Sequence, residues 1–593
     1  MEERIYNIIS SKAKQRKVGF IVLGFLIFSI MMIPTEIVLA KMLPGKSANT
    51  FTVYIDTATN STIDQTKEVV ECVVNSFRGE EEVLNMEMFL GQGAPLDYAG
   101  LVKGSAFKRL KNQAEVVINL TDKHGREEAS FMMVHRLRPI IQNKCENLYK
   151  GTTVKFVEMP SGPPTFATIV VNLYGKDSLL LRQTSKTIKE ALQETEGLVD
   201  IDVMQDDVYT KFEIIPNVEK IISSNLSVEQ VSNILYMAFK GNVIATKNST
   251  LQQDQIPIFV SLDKETRTLD HASRDELALK LSRLKLLNKQ GIMVPVKEVV
   301  EIVPTVADPT IFKKNMRNMV SVTAECDLVS QVYPLMDARE LMIKNLEADF
   351  EIERLTGMST YMFDLALVHK LTGEKVLVRW DGEMKVSLDT FRDLGGAFIS
   401  ALVLMFLLMV VYYKSFALSG IVLVGSFLSI IGVIIGHFIT DLISLWLTGI
   451  HFYLTATSLI GFISLMGISA RSSLLLIDFT KSLIESGVEK NRAIAISTAT
   501  RAKPILLTAV AIILGSLLLA TDPIFGGLGI ALIFGSMAST AVSLYYIPVL
   551  MAKATAICPA VEQCEEGAGI NEECMDVSCI PPEVHHGNPM DNK

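Results

Sequence analysis

The stretch GISARSSLLLIDF, residues 467–479, sets Arg471 inside an apolar run. A guanidinium cannot release its proton near neutral pH, and a cation near mid-bilayer costs about 2.5–3.5 kcal/mol on insertion scales. Such a group is kept where a carboxylate or water faces it. The alternative is snorkelling to the inner end of the run, roughly 10 Å away at the helical rise. Asp478, the nearest acid, lies equally far along the helix, beyond direct pairing. Glu36, Asp393, Asp441 and Asp522 all fall near the ends of apolar runs. The charge balancing Arg471 must come from elsewhere, and the chemistry this implies is electrostatic coupling. No nucleophile–base constellation and no phosphate loop is found.

Other reactive residue types carry weaker signals. AKMLPGKS (40–47) fits a relaxed phosphate-loop pattern. A working loop of that kind links a strand to a helix, whereas here an apolar run precedes it and strand-like sequence follows. Cys558, Cys564, Cys574 and Cys579, with His585 and His586, are soft or borderline metal ligands in the last segment. Their spacing lacks the paired CxxC of a structural zinc site, and an acidic tail with reduced thiols is the competing reading. Met132, Met133, Met405, Met409, Met466 and Met537 are candidate thioether ligands for copper or silver, or ordinary core residues. His124 falls in a turn and reads as structural. Cys72, Cys145 and Cys326 are odd in number, so at least one has no partner within this region.

These residues are carried on a chain of 593 residues, 49% hydrophobic, with a mean hydropathy of +0.32. That predicts membrane segments. The net charge of −9 shows no basic excess, which argues against a nucleic-acid surface. Apolar runs long enough to span a bilayer occur at 18–40, 394–413, 417–438, 454–478, 504–520 and 526–550. Arg4, Lys12, Lys14, Arg16 and Lys17 precede the first, and Lys481, Lys490, Arg492, Arg501 and Lys503 lie between the fourth and fifth. Lys and Arg mark the cytoplasmic side, so both termini are expected inside. The expected domains are a cytoplasmic 1–17, a first span at 18–41, an exported domain at 42–390, five spans within 391–553, and a cytoplasmic tail at 554–593.

Within the exported part, strand-like runs at 51–59, 83–91, 114–122 and 152–159 alternate with helical periodicity at 61–77 and 127–149. A second set follows over 166–207, after the proline-rich connector PSGPPTF (160–166). Repeated βαβ units of this kind predict small α+β sandwiches.

The segments AKMLPGKSANTFTVYID, NLTDKHGREEASFMMVHRLRP, EMPSGPPTF, FRDLGGAFISALVL, ATSLIGFISLMGISARSSLLLIDF, RAKPILLTAVAIILGS and DPIFGGLGIALIFGSMASTAVSLYYIPVL together resemble the resistance-nodulation-division (RND) efflux transporters. The resemblance runs from about residue 18 to 553 and is to the C-terminal half of such a transporter. It implies a six-helix membrane bundle with a periplasmic α+β domain. One porter subdomain would be 44–165, the next 166–207 with about 325–385, and a docking subdomain would be inserted at about 208–300. By residue-wise match, a basic residue at Arg471 faces paired acids on the fourth helix of the first half, and Thr508 and Arg501 complete the proton relay. For Thr508 the competing reading is a hydroxyl bonded to its own helix, and for Arg501 it is a cytoplasmic anchor. The implied activity is proton-driven efflux of drugs or other toxic small molecules from the bacterial inner membrane, with no cofactor. The implied partners are an N-terminal-half RND subunit, a periplasmic adaptor and an outer-membrane channel, in a trimeric assembly. Copper or silver efflux, and a scaffold that has lost coupling, are the competing functions.

Overall fold

The computed structural model describes residues 1–159, 162, 164–269, 273–355 and 363–557. The cysteines and histidines of the last segment, and residues 160, 161 and 163 of the proline-rich connector, lie outside them. The chain divides into two compact units, one of residues 58–60 and 205–311, the other holding the rest.

In the larger unit, the strands Val83–Leu90, Gln113–Leu120, Thr50–Asp56 and Thr153–Val157 form an antiparallel sheet in that order. Phe51, Val53 and Ile55 point to one face by strand alternation. There they meet Val69, Val70, Val73 and Phe77 of the helix Ile63–Phe77, and Met133, Val134 and Ile141 of the helix Ser130–Cys145. Thr62 and Gln65 close a reciprocal cap on the first helix, fixing where it starts. Cys72 and Cys145 join the two helices in a disulfide, and Cys326 is free. The opposite face of the sheet is also covered. Glu115, nearly fully buried, accepts from Ala94 N–H at 2.7 Å and Ser105 Oγ at 2.7 Å, which holds the segment 91–112 against it.

A second antiparallel sheet follows in the order Phe312–Lys314, Arg317–Cys326, Ile169–Tyr174, Lys375–Asp381, Leu365–His369, Phe350–Arg354. Leu198–Met204 also pairs with Arg317–Cys326. The helices Ser178–Gln193 and Val332–Leu346 cover it, burying Leu181, Ile188, Leu335 and Met342. The smaller unit holds three two-stranded ladders with the helices Val218–Ser223, Val228–Leu235 and Arg274–Arg283 around Ile221, Val231, Leu281 and Val296.

Among the described residues, five helices are long and apolar enough to cross a bilayer: Glu383–Tyr413, Phe416–Thr448, Ala456–Glu485, Lys490–Ala520 and Gly526–Lys553. The first apolar run behaves differently from the expected 18–41 span. Its helix runs Lys12–Met31, carries Lys14, Arg16 and Lys17 in its first turns, and gives way to turns over 32–36 around Pro34. Proline has no N–H to continue the ladder. In the bundle, Gly432 and Gly436 form a GxxxG pair. A Cβ on Gly432 would stand 2.2 Å from Phe534 O, and one on Gly436 2.5 Å from Phe534 Cβ. Only glycine lets the helix Gly526–Ala541 approach this closely.

Candidate functional site

Within the helix Ala456–Glu485, the residues exposed between Ala456 and Lys481 are Ile460, Ser464, Gly467, Arg471 and Leu475. Their spacing of four, three, four and four traces one helical stripe. The opposite face is packed, with Leu465, Ser469, Ser473, Leu476 and Ile477 fully buried. Arg471 therefore points away from the bundle. It has no ion pair and no hydrogen bond among the described residues.

Asp478 is engaged on another helix, accepting from Tyr412 Oη at 3.2 Å, while Lys481 lies 5.2 Å from the Tyr413 ring centroid. Asp393, Asp441 and Asp522 are engaged locally, and Glu36 is exposed. Asp441, for example, accepts from Phe452 N–H at 2.6 Å and lies 3.2 Å from His451 Nδ1.

The two other relay candidates sit on the helix Lys490–Ala520. Ser497 Oγ donates to Leu476 O at 3.0 Å, and the Arg501 guanidinium lies 4.8 Å from the Phe479 ring centroid, which fixes the register of the two antiparallel helices. Measured from that Ser497–Leu476 contact, Arg471 lies roughly 8 Å up its helix and Thr508 roughly 16 Å up the other. Thr508 thus stands about two turns beyond the level of Arg471, both exposed, while Arg501 is about two turns nearer the connecting turn than Thr508. The Thr508 hydroxyl donates to Pro504 O at 3.0 Å, on its own helix. Arg501 is half-buried and its Nε has no hydrogen-bond partner among the described residues.

The other sequence candidates disperse. Met133 belongs to the core of the first sheet, Met405 and Met409 pack in the membrane bundle, Met466 is buried, and Met537 is exposed. Among the described residues, no group of three or more His, Cys, Asp or Glu side chains is placed to hold a metal ion. His124 is exposed in its turn, and AKMLPGKS leads into the strand Thr50–Asp56 with no helix after it.

A second polar site has no signature in the sequence. Lys41, Lys103, Arg138, Glu158, Glu325, Cys326 and Glu383 line a cavity of about 130 Å³ between the two sheets of the larger unit. Burial raises the Glu158 carboxyl to about 7, against the pull of Arg138 and Lys41 and with the push of Glu325 and Asp327. Burial likewise raises the Cys326 thiol well above its ordinary range, leaving it protonated and unreactive. The cavity residues come from segments as far apart as 41 and 383, and no local spacing betrays such a convergence.

The sequence matches the model of the AcrB/AcrD/AcrF family over residues 3–555. It is 23% identical over 403 residues to the cobalt-zinc-cadmium resistance protein CzcA of Cupriavidus metallidurans, covering 67% of this chain and 34% of that one. It is 22% identical over 449 residues to the multidrug resistance protein MdtC of Proteus mirabilis, covering 74% and 39%. The crystal structure of a heavy metal efflux pump superposes with a TM-score of 0.68 at 16% identity, covering 93% of this chain and 51% of that one. The chain thus spans about a third of the curated relatives' length and half of that solved structure.

Proposed function

The chain belongs to the AcrB/AcrD/AcrF family of RND efflux transporters, and we propose that it forms one half of a proton-driven pump whose acidic proton site lies on a polypeptide segment outside this sequence. The observation that carries the reading is the outward-facing, unpaired Arg471 on its stripe. A second helix laid along that stripe, with carboxylates level with Arg471, would supply the missing charge. Arg471 is then a fixed counter-ion, because it stays protonated throughout the cycle. The carboxylates alone gain and lose protons, and each neutralisation frees the guanidinium from its partner. Thr508, on the neighbouring helix, reorients its hydroxyl from Pro504 O toward the changing charge on this reading. Arg501 acts on this reading as the cation on the inner side.

The helix Lys12–Met31 completes a six-span bundle, and residues 42–390 face the periplasm, with the two sheets as porter subdomains and residues near 208–300 as the docking part. The assembly is trimeric, joined to a periplasmic adaptor and an outer-membrane channel. The substrate is a small toxic molecule. The relatives include both multidrug and metal resistance proteins, which makes metal-cation efflux the second reading.

The test is transport in everted membrane vesicles from the native host, energised by a pH gradient, with an organic dye in one arm and Co²⁺, Zn²⁺ or Cd²⁺ in the other. The expected result is that Arg471→Leu abolishes transport while the complex still migrates intact on a native gel, with Arg471→Lys retaining part of the activity. Unaltered transport in Arg471→Leu refutes the role of the arginine. Proton-coupled transport by the purified chain alone refutes the dependence on an outside acidic segment.

A further inference from the structure

The hairpin joining the strands Phe312–Lys314 and Arg317–Cys326 is held against its own preferences. Its two turn residues, Asn315 and Met316, have φ +53° and +61°. A two-residue turn between antiparallel strands needs that left-handed pair, and glycine usually fills the second place. Here it is a methionine, 98% exposed. The turn also sets Lys314 directly opposite Arg317, where like charges repel across the ladder. The short strand brings one apolar side chain, the half-buried Phe312, so packing does not offset this arrangement.

The neighbouring strands extend the same cationic corner. Tyr174 stands opposite Met319 on one side and Leu377 on the other. Arg317 is two residues from Met319, and Arg379 two from Leu377, so all of them share one face by strand alternation. Leu173, Val320 and Val378 turn to the other face, into the core beneath the helices Ser178–Gln193 and Val332–Leu346. On the helix-free face, Tyr174, Lys314, Asn315, Arg317, Leu377 and Arg379 line a cavity of about 270 Å³. Lys314 Nζ pairs with Asp381 Oδ2, which also accepts from Asn172 Nδ2 at 3.0 Å. Arg379 Nε lies 3.6 Å from Asp364 Oδ2. Neither acid lines the cavity, so both hold their cations from outside it. Arg317 has no ion pair among the described residues. Burial raises the Tyr174 phenol above its ordinary value, against the pull of Lys314, so its hydroxyl stays a donor at neutral pH.

We propose that this cavity binds a small organic anion, a carboxylate or phosphate carried on an apolar or aromatic body. Arg317 and Lys314 hold the charged group, the Tyr174 hydroxyl donates to it, and the Tyr174 ring and Leu377 take the body. Of the three cations lining the cavity, Arg317 alone is unbalanced, and its planar fork matches the two oxygens of a carboxylate or phosphate. The repulsion between Lys314 and Arg317 across the hairpin is relieved when an anion sits between them. The volume falls just below the usual range of ligand pockets, which suits a ligand the size of benzoate or phenyl phosphate. The site shares no residue with the cavity around Glu158 and lies on a different element from Arg471. It therefore stands whether or not the chain is half of a proton-driven pump.

The test is fluorine NMR of para-fluorophenyl phosphate titrated with the full chain in phosphatidylcholine nanodiscs, with empty discs as the blank. Saturable binding is expected, weakened about tenfold or more by Arg317→Gln, the loss of one charge-assisted hydrogen bond. Tyr174→Phe and Lys314→Gln should weaken it less, and raising the ionic strength should weaken it in the wild type. Lys313→Gln, on the other face of the same strand, should leave it unaltered. Arg317 is exposed, and unchanged hydrogen exchange over Arg317–Cys326 in Arg317→Gln shows that the sheet is intact. Adding phosphatidylglycerol to the discs separates the two sources of such an anion. Competition by it assigns the anion to a lipid headgroup, and binding that ignores it assigns a free ligand. Absence of saturable binding, equal binding by Arg317→Gln, or equal binding of neutral para-fluorobenzyl alcohol overturns the site. Loss of transport in Arg471→Leu bears on the pump alone and leaves this result untouched.

Discussion

Removing the Cys72–Cys145 bond by Cys72→Ala with Cys145→Ala should loosen the first sheet without dismantling it. The bond spans 73 residues of sequence. In the chain-entropy treatment, a loop of that length restrains the unfolded chain by about 4 kcal/mol at 25 °C, and measured losses for native disulfides run from about 2 kcal/mol upward. Cys145 is fully buried and Cys72 packs against the same core, so alanine at both adds a small void on top of the lost restraint. Hydrogen exchange of the strands Thr50–Asp56 and Gln113–Leu120 in the full-length protein reads this locally. Protection factors should fall by about 30- to 1000-fold, the equivalent of about 2–4 kcal/mol. The second sheet and the membrane helices should change little, because their cores are separate. Protection of the first sheet that stays unaltered would refute the argument. The same protein also tests its compartment: if Cys72 and Cys145 alkylate fully in membranes prepared without reductant, the domain never entered an oxidising space, and the outward orientation read from Lys and Arg fails.

Two further outcomes follow from packing and charge. Gly432→Ala should destabilise the bundle by on the order of 1–3 kcal/mol, because its Cβ would meet Phe534 O at 2.2 Å; a lowered unfolding temperature in detergent checks it, with Gly420→Ala, where nothing lies within 4 Å, as the neutral control. Glu158 should titrate near pH 7, seen as a protonated carboxyl stretch in the infrared that vanishes as pH rises and is absent in Glu158→Gln. Its folded pKa is raised above the usual 4.5, so the contribution of the neutral form to stability is fully present below pH 4.5 and is lost as pH climbs through about 7.

The sequence yielded elements more readily than it yielded contacts. The strand at 51–59 and the helix at 61–77 were legible because alternation and helical spacing are local, and both form within a few residues of those limits. The first span was overread, since hydropathy continues to Ala40 while Pro34 and the turn around it stop the helix at Met31. The glycine pair at 432 and 436 was readable as a GxxxG motif and would have announced a close helix crossing. Arg471 announced itself by its cost in lipid. The pairing of Lys103 with Glu325 could not: the two are 222 positions apart, and each alone looks like any charged surface residue.

The exposed faces of two neighbouring helices decide what covers Arg471. On Lys490–Ala520 the outward residues are mostly apolar, Leu506, Leu507, Val510, Leu514, Leu517 and Leu518, with Thr508, Ala511 and Gly515 among them, and no charge stands at the depth of Arg471. On Ala456–Glu485 the outward stripe holds Ser464, Gly467 and Arg471 between Ile460 and Leu475. Lipid gains nothing from a glycine or a serine, but a second helix does, because small residues let backbones come close. Close approach also shortens the reach a carboxylate needs to meet the guanidinium, and excludes the water that would screen it. Snorkelling accounts for the arginine alone and leaves the glycine and serine beside it unexplained. A docked acidic helix accounts for all three with one contact, which is why the missing charge is best sought on a protein surface rather than among headgroups.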